Sequence, residues 1–454
     1  MRAHIVTLGC KVNQYESAAM AESLEKLGYE LGSKEDLDLI VLNTCAVTSK
    51  AGSKALQILR RLRRENPRAK IVSIGCLAQA EPDELIKYSD LVLGNFQKDT
   101  LASKLLSPNG TIDISVPKVP IALSSGTPKT YRTRAFHRIQ DGCTQRCAFC
   151  IIPSLRGAEK SLAPDRVIAD LKAYRDKGIK EIVLTGIHLG RWGWDHDPKG
   201  DLTKLLELID KSLKPNESSF RVRLSSLELK EAQLILDSFN KYPWLARQLH
   251  IPLQSGSDKI LKLMHRPYTS SLYLETVSSF RKKYKYMSLG TDVMVGFPGE
   301  KEEDFVSSLE FVKKSPINHL HIFPFSARYG TSAFNYPGKV PAKEIRKRAG
   351  AFKAVDSEKR LKFYTANLGR KELALVENSP EPKTLRQRVI TGNYIQALLP
   401  EGSNEPSGEL IKVKLIGIAS YVEKDGQGFE KKDSHLQDTQ ESQPEAYFVE
   451  AKRC

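Results

Sequence analysis

Apolar runs and amphipathic stretches alternate through the first hundred residues of the chain. The apolar runs predict strands at 4–8, 37–42, 70–74 and 91–93. The amphipathic stretches predict helices at 16–27, 53–64 and 82–87. Strands that alternate with helices in this way are typical of a parallel sheet with helices on its faces. Residues 1–106 are therefore predicted to form an α/β domain, and the stretch 107–130, with its prolines and glycines, is predicted to be a linker.

The same alternation continues on a larger scale through the middle of the chain. Candidate strands lie at 136–140, 181–185, 220–224, 248–253, 290–295 and 319–323. Their separation of roughly 30–45 residues fits βα units. Six such units predict a partial (β/α)6 barrel over 131–370, closed by a basic helix at 341–366. In parallel barrels the functional residues lie at the carboxyl ends of the strands.

The pattern changes again after residue 370. Short strands separated by glycine or proline are predicted at 372–376, 386–390, 395–399 and 410–416. They indicate a small all-β module over 371–424. The polar stretch 425–454 is predicted to be a flexible tail. The predicted fold class is thus α/β, with an N-terminal parallel sheet, a central partial barrel and a C-terminal all-β module.

Charge and composition narrow the choice of partner. The chain of 454 residues carries 70 Lys and Arg against 54 Asp and Glu, a net charge of +16. Basic residues concentrate in 54–70 and 339–370, so nucleic acid is a candidate partner, although each stretch alone could be a solvated helix face. No apolar run is long enough for a membrane span and the first residues do not form a signal peptide. We therefore expect a cytoplasmic protein without a membrane partner.

Three of the seven cysteines each follow a predicted strand. Seven cysteines are too few for a disulfide scaffold, so metal binding or catalysis is favoured. Cys10, Cys45 and Cys76, here called the N-terminal cysteine set, lie about one βα unit apart. Parallel strands would bring their thiols to one sheet edge, where zinc or an iron–sulfur cluster could bind. The alternative is that they are small buried apolar residues. Cys454 receives no role.

A second group of cysteines follows the first predicted barrel strand. Cys143, Cys147 and Cys150, here called the barrel cysteine set, have the spacing C-x3-C-x2-C. A fourth Cys or His at zinc spacing is absent from the sequence. Three thiolates could hold a four-iron cluster and leave one iron open to a substrate or cofactor; zinc or simple packing is the alternative.

These cysteines stand in motifs that together resemble one family. The spacing resembles the cluster motif of radical S-adenosylmethionine (SAM) enzymes, with Phe149 as the aromatic residue before the last cysteine. The remaining motifs resemble those of the methylthiotransferases over residues 1 to about 420. They are Thr7-Leu-Gly-Cys-Lys-Val-Asn-Gln-Tyr-Glu-Ser17, Asn43-Thr-Cys-Ala-Val47, Ile74-Gly-Cys-Leu-Ala-Gln79, Gln140-Asp-Gly-Cys143, Leu184-Thr-Gly-Ile-His-Leu-Gly190, Arg223-Leu-Ser-Ser-Leu-Glu228, His250-Ile-Pro-Leu-Gln-Ser-Gly-Ser257 and Asp292-Val-Met-Val-Gly-Phe-Pro-Gly-Glu300.

The resemblance implies an enzyme with two [4Fe–4S] clusters and SAM as cofactors. By resemblance, the barrel cysteine set is catalytic and its cluster binds SAM, which one electron cleaves to a radical that abstracts hydrogen. The N-terminal cysteine set would hold the cluster that supplies or carries sulfur, and the all-β module would correspond to an RNA-binding TRAM domain. The cofactor-binding residues implied are Phe149, Thr185, Gly186, Ser225, Glu228, Gln254 and Gly296.

The motif around the first cysteine most resembles one bacterial branch of the family. That branch adds a methylthio group to C2 of N6-threonylcarbamoyladenosine beside the tRNA anticodon, so the expected partners are a tRNA anticodon stem-loop and an electron donor. One alternative keeps this chemistry but acts on isopentenyladenosine of tRNA or on a ribosomal protein. Another is a non-enzymatic iron–sulfur protein that binds RNA and carries electrons; clusters closed by four cysteines would be usual there.

Overall fold

The N-terminal part is an α/β sheet. In the computed structural model the described residues are 1–32, 35–117, 123, 126–128, 133–216, 219–382, 384–424, 428–432 and 446–454. The first elements are β1 Arg2–Thr7, α1 Lys11–Lys26, β2 Glu30–Leu31, β3 Leu39–Thr44, α2 Ser49–Glu65, β4 Lys70–Gly75, α3 Cys76–Ala80, α4 Pro82–Ile86, β5 Leu91–Leu93, a 3-10 helix Asn95–Thr100, α5 Leu101–Lys104 and β6 Thr111–Asp113.

All strands of this sheet are parallel, in the order β2-β1-β3-β4-β5-β6. Every residue of the central strand β3 is buried, as expected where helices cover both faces of a parallel sheet. The predicted linker at 107–130 is wrong in its first part, because β6 pairs with β5 and extends the sheet. Only three residues lie between the turn at Gly110 and the next irregular stretch, too few to show a strand pattern.

The central part contains six parallel barrel strands, as predicted. Its elements are β7 Ala135–Arg138, β8 Gln140–Asp141, α6 Ile152–Arg156, β9 Lys160–Ser161, α7 Pro164–Asp176, β10 Glu181–Thr185, a 3-10 helix Leu189–Arg191, α8 Leu202–Leu213, β11 Arg221–Leu224, α9 Leu229–Leu234, α10 Ser238–Lys241, β12 Gln248–His250, α11 Asp258–Leu263, α12 Ser270–Lys283, β13 Ser288–Val295, α13 Glu302–Lys314, β14 His319–Pro324, a 3-10 helix Ser332–Asn335 and α14 Ala342–Asn367.

These strands form two three-stranded parallel sheets, β11-β10-β7 and β12-β13-β14. A parallel bridge between Val222 and Leu245 joins the halves next to β12. A single apolar core runs beneath both halves and buries large side chains such as Trp192 and Trp244. The predicted partial barrel is thereby confirmed.

The C-terminal part is a small closed β-barrel. Its strands are β15 Lys371–Val376, β16 Arg388–Thr391, β17 Gln396–Leu398, β18 Leu410–Lys424, β19 Gly428–Lys432 and β20 Ala446–Arg453. The order β15-β16-β17-β20-β18 closes because β15 also pairs with β18. The predicted flexible tail over 425–454 is therefore wrong for 428–432 and 446–453, which are strands, while 425–427 and 433–445 lie outside the described residues. Val449 and Ala451 alternate with Glu450 and Lys452, and the two apolar residues are buried in the barrel core.

Side-chain and backbone contacts join the three parts. Ser49 at the start of α2 hydrogen-bonds Ser326, which follows β14, at 2.7 Å. The Arg328 guanidinium donates to the carbonyl of Ala46 at 2.7 Å. Arg221 in β11 donates to the carbonyl of Leu373 in β15 at 2.9 Å. None of the helices in the described part of the chain is long and apolar enough to cross a membrane.

Candidate active site

The N-terminal cysteine set lies at one edge of the first sheet. Cys10 follows β1, Cys45 follows β3 and Cys76 opens α3 directly after β4. These three strands are neighbours in the sheet and parallel, so their carboxyl ends meet at the same edge. Cys45 and Cys76 are buried, whereas Cys10 is exposed and lines the cavity described below.

Glycines before two of these cysteines let the thiols approach each other. Gly9 has φ +103°, and a Cβ there would lie 2.8 Å from the Cβ of Cys45. Gly75 has φ +105°, and a Cβ there would lie 2.6 Å from the Asn43 side-chain oxygen. Both the backbone conformation and the close packing therefore require glycine. The Gly-Cys pairs of the motifs thus have a steric reason.

Burial shapes the acid–base properties of this set. Burial, with smaller contributions from the neighbouring thiols of Cys76 and Cys10, raises the pKa of Cys45 to about 11. The thiol is therefore protonated at neutral pH without a metal. Metal binding needs the thiolate, so loading must release this proton.

The barrel cysteine set lies on the loop between β8 and α6. This loop is fastened to the segment after α6, because the Cys143 N–H donates to the carbonyl of Gly157 at 2.9 Å. Gly142 has φ +73°, and a Cβ there would lie 1.9 Å from the carbonyl oxygen of Ala158. Glycine before the first cysteine therefore lets two backbone segments touch. Burial raises the pKa of Cys150 to about 12.

One cavity of about 410 Å³, here called the central cavity, joins the two sets. It lies at the carboxyl ends of the barrel strands, where function was predicted. Its wall includes Cys10, Cys143, Cys147, Phe149, Cys150, Ile151, His188, Glu228, Gln254, Arg266, Asp292, Met294 and Phe323. Cysteines separated by more than 130 positions thus open on the same space.

Arg266 contacts both Cys147 of the barrel cysteine set and Glu228, a predicted cofactor-binding residue. Its guanidinium donates to the Cys147 sulfur at 3.2 Å and pairs with the Glu228 carboxylate. It also donates to the hydroxyl of Tyr268 at 3.0 Å and is buried. Sequence reasoning missed Arg266, because a single arginine between His265 and Pro267 carries no spacing signal.

His188 makes the corresponding contact with the first cysteine of the set. Its Nδ1 lies 3.5 Å from the Cys143 sulfur and its Nε2 lies 3.1 Å from the Glu231 carboxylate. Burial alone would lower the pKa of His188, but the hydrogen bonds with Cys143 and Glu231 outweigh it and raise that pKa to about 9. His188 was part of a quoted motif, yet nothing in the sequence singled it out from its neighbours.

Three of the predicted cofactor residues line the central cavity. They are Phe149, Glu228 and Gln254. Gln254 is buried, has φ +70°, and is held by a hydrogen bond from its N–H to the carbonyl of Asp292 at 2.9 Å. Within the described residues its side-chain oxygen has no hydrogen-bond partner. A buried, unpaired acceptor in a cavity wall is suited to a ligand.

Four others do not line the central cavity: Thr185, Gly186, Ser225 and Gly296. A Cβ on Gly186 would lie 2.7 Å from the side-chain oxygen of Gln140, and one on Gly296 would lie 2.4 Å from Ile345. Packing against protein, rather than against a ligand, therefore explains both glycines. Ser225 lines a neighbouring cavity instead.

A buried charge network, here called the Glu16 network, joins the first sheet to the barrel. Glu16 of α1 accepts from Arg156 at 2.9 Å and from Arg138 at 3.0 Å, and it pairs with Lys98. Arg156 also bonds Asp141 at 2.9 Å. Burial alone would raise the pKa of Glu16, but the charges of these three cations lower it well below its usual range. No spacing in the sequence predicted this network.

Comparisons with known proteins agree with this architecture. Residues 2–94 match an uncharacterized protein family, UPF0004, and residues 138–312 match the Radical SAM superfamily. The described fold is similar to that of a radical SAM methyltransferase, TsrM, from Kitasatospora setae. The TM-score is 0.51 at 14% identity, and the match covers 73% of this chain and 74% of that one.

Relatives extend over nearly the whole chain. A protein of Aquifex aeolicus, threonylcarbamoyladenosine tRNA methylthiotransferase MtaB, is 36% identical over 91% of this chain and 100% of its own length. MtaB of Bacillus subtilis is 34% identical, covering 93% of this chain and 95% of its own. A tRNA-2-methylthio-N(6)-dimethylallyladenosine synthase of Clostridium botulinum is 32% identical, covering 92% and 95%. The chain belongs to the radical SAM methylthiotransferase family.

Proposed function

We propose that the protein adds a methylthio group to C2 of N6-threonylcarbamoyladenosine in tRNA. One observation carries the proposal: a single cavity is lined by Cys10 of the N-terminal cysteine set and by all three members of the barrel cysteine set. Insertion of a methylthio group needs hydrogen removal and sulfur delivery at one carbon atom, so the two cysteine sets must reach a common space. The relatives named MtaB support this substrate.

The donor atoms fit two [4Fe–4S] clusters and SAM. We propose that each cysteine set holds one cluster, since thiolates are the ligands that iron–sulfur clusters take. Three thiols leave one iron of each cluster without a cysteine ligand. We propose that Phe149, Glu228 and Gln254 hold SAM beside the barrel set; their place in the wall of the central cavity and the unpaired side-chain oxygen of Gln254 support this. Four other residues are proposed to affect SAM binding only indirectly, because they shape the strand ends without lining the central cavity: Thr185, Gly186, Ser225 and Gly296.

A cluster held by the barrel cysteine set would supply the electron for SAM cleavage, and one held by the N-terminal cysteine set would supply the sulfur. The chain itself positions these groups. Arg266 contacts Cys147 and Glu228 at the same time, so it links a proposed cluster ligand to a residue proposed to bind SAM. Ile151, Met294 and Phe323 make much of the cavity wall apolar, which keeps water away from reactive species.

The Glu16 network supports the shared cavity. Asn13, three positions after Cys10, donates to the carbonyls of Leu8 and Thr44 and accepts from Arg156 at 2.8 Å. Arg156 lies at the end of α6, just after the barrel cysteine set. The network therefore ties both cysteine loops together and would hold the two cysteine sets at a fixed separation.

We propose that the tRNA anticodon stem-loop reaches this cavity along basic surfaces. Arg60, Arg61 and Arg64 of α2 are exposed, whereas Arg63 is held by Asp90 at 2.5 Å and by two carbonyl groups. The exposed lysines of α14 form a second basic surface. Phosphates would bind both by charge, with release of counterions. The electron donor is proposed to be a separate protein.

A second substrate has a specific observation in its favour. Relatives of 31–34% identity are named tRNA-2-methylthio-N(6)-dimethylallyladenosine synthase, so the same chemistry on isopentenyladenosine is the alternative. A non-enzymatic redox protein would not need a cavity shared by two open cluster sites.

Mass spectrometry of tRNA nucleosides tests the proposal. A deletion strain should lack the 2-methylthio form of threonylcarbamoyladenosine and accumulate its precursor, and the wild-type gene should restore it. A gene with alanine at all three positions of the barrel cysteine set serves as the matched control and should not restore it. Loss of 2-methylthio-isopentenyladenosine instead would establish the alternative substrate.

A further inference from the structure

A second cavity of about 370 Å³, here called the polar cavity, adjoins the central cavity. Both are lined by Ser226 and Asp292, so the two cavities share a wall. All three parts of the chain contribute to it. Lys11 comes from the first sheet domain and Tyr394 from the C-terminal barrel, and the central part contributes Arg223, Ser225, His250 and His321.

The cations around this cavity differ in how they are neutralised. Arg223 donates to Glu181 at 2.8 Å, Arg360 donates to Asp356 at 2.7 Å, and Arg134 pairs with Glu377 at 3.5 Å. Lys11, which is half-buried at the start of α1, makes no hydrogen bond or ion pair within the described part of the chain. It is therefore a cation available to a ligand.

The acid of the cavity wall is already paired. Asp292 lies 3.0 Å from Nε2 of His250 and 3.5 Å from Nδ1 of His321. No hydrogen bond or ion pair in the described part of the chain joins Asp292 to Lys11, so the ammonium group of Lys11 stays open to an anion.

A second, independent observation points to a ligand. Ser225 has 8% of its surface exposed and lines the polar cavity. Its hydroxyl has no hydrogen-bond partner among the described residues. A buried hydroxyl without a partner costs free energy unless a ligand or water satisfies it. Ser225 was predicted to contact SAM, yet the structure puts it in the wall of this other cavity.

We infer that the polar cavity binds the carboxylate of the N6-threonylcarbamoyl group, with Lys11 as its ion-pair partner and Ser225 as a hydrogen-bond donor. The inference rests on the proposed function. The N6 substituent starts at ring carbon C6, two bonds from the C2 atom that reacts. A substrate that offers C2 to the central cavity must therefore send this substituent into adjoining space.

The chemistry of the cavity selects between the two tRNA substrates. A buried carboxylate is costly unless it is paired and hydrogen-bonded, and Lys11 and Ser225 supply both. An isopentenyl group carries no charge and would leave Lys11 and Ser225 unpaired next to it, which buried polar sites reject strongly. A phosphate of the tRNA backbone is another anion, and the test separates it from the carboxylate.

Two stem-loop substrates test the inference. One carries N6-threonylcarbamoyladenosine, and the other carries the same nucleoside with the carboxylate converted to a carboxamide. Wild-type protein should favour the carboxylate by at least about 30-fold in kcat/KM and in Kd. Lys11→Ala should reduce this preference to about one. Ser225→Ala should lower it by about tenfold.

The controls distinguish the possible failures. Lys172→Ala changes an exposed lysine on α7 and should leave the preference unchanged. Iron content and the electron paramagnetic resonance signal should match wild type in Lys11→Ala, which shows that the adjacent Cys10 site is intact. An equal loss by Lys11→Ala on both substrates would overturn the inference and indicate a phosphate contact. Wild-type turnover of isopentenyladenosine alone would instead refute the proposed function.

Discussion

Neutralising Glu16 should destabilise the junction between the first sheet and the barrel. Glu16→Gln removes the carboxylate from a buried site where Arg156, Arg138 and Lys98 surround it. Loss of one partner from a buried ion pair costs roughly 3–5 kcal/mol, because the remaining charge is left uncompensated. Arg156 would still pair with Asp141, but among the described residues the Lys98 ammonium group has no other ion-pair partner. A loss of about 4 kcal/mol in the free energy of unfolding is therefore expected.

Urea unfolding of the protein without clusters measures this loss. Glu22→Gln on the same helix is the matched control, since Glu22 pairs with Lys26 at the surface and should cost less than about 0.5 kcal/mol. The pKa of Glu16 is lowered by folding, so its contribution is complete above the ordinary glutamate value of about 4.3 and is lost as the pH falls below it. The difference between wild type and Glu16→Gln should therefore shrink in acid. A Glu16→Gln protein as stable as Glu22→Gln at neutral pH would refute the reasoning.

Three further predictions concern the clusters and the RNA. Alanine at all three positions of the barrel cysteine set should halve the iron content and abolish SAM cleavage. Alanine throughout the N-terminal cysteine set should spare SAM cleavage and abolish methylthiolation. Methylthiolated product from this second variant would disprove sulfur delivery at the N-terminal set. Iron uptake by the unloaded protein should rise from pH 7 to 9, because the pKa of Cys45 is raised to about 11; a flat profile by iron assay would contradict this. Arg60, Arg61 and Arg64 changed together to Glu should weaken tRNA binding and flatten its salt dependence, and a Lys172→Glu control should not; unchanged slopes would remove α2 from the interface.

Sequence patterns predicted most of the fold, because each part has a regular period. The βα alternation predicted β1, β3, β4 and β5 to within about two residues at most ends, and the six barrel strands followed the same rule. The missed strands include β6 and β20. In β6 only Ile112 is apolar, so its three residues do not differ from a loop without their partner strand. The apolar run Ala446-Tyr-Phe-Val449 of β20 does indicate a strand, but it follows a long polar stretch and was assigned to the tail with that stretch.

The candidate site was predictable only where residue types carry chemistry by themselves. Cysteines at regular strand ends could be found, because thiols and their spacing are rare. Arg266, His188 and the members of the Glu16 network could not, since charged residues are common and their partners lie 38 to 140 positions away. For Gly186 and Gly296 the sequence indicated a need for glycine, but the neighbouring atoms that impose it are known only from the fold.

The hydrogen bonds between Ser49 and Ser326 have a consequence for the synthesis of the protein. The first sheet needs only residues up to β6. Ser326, which contacts the start of α2, follows β14 and is synthesised about 200 residues later. At roughly 5–20 residues per second, translation of that interval takes about 10–40 s. During this time the N-terminal cysteine set can be complete but still uncovered by the barrel. The three thiols can therefore stand at the sheet edge before the barrel side of the central cavity has been synthesised.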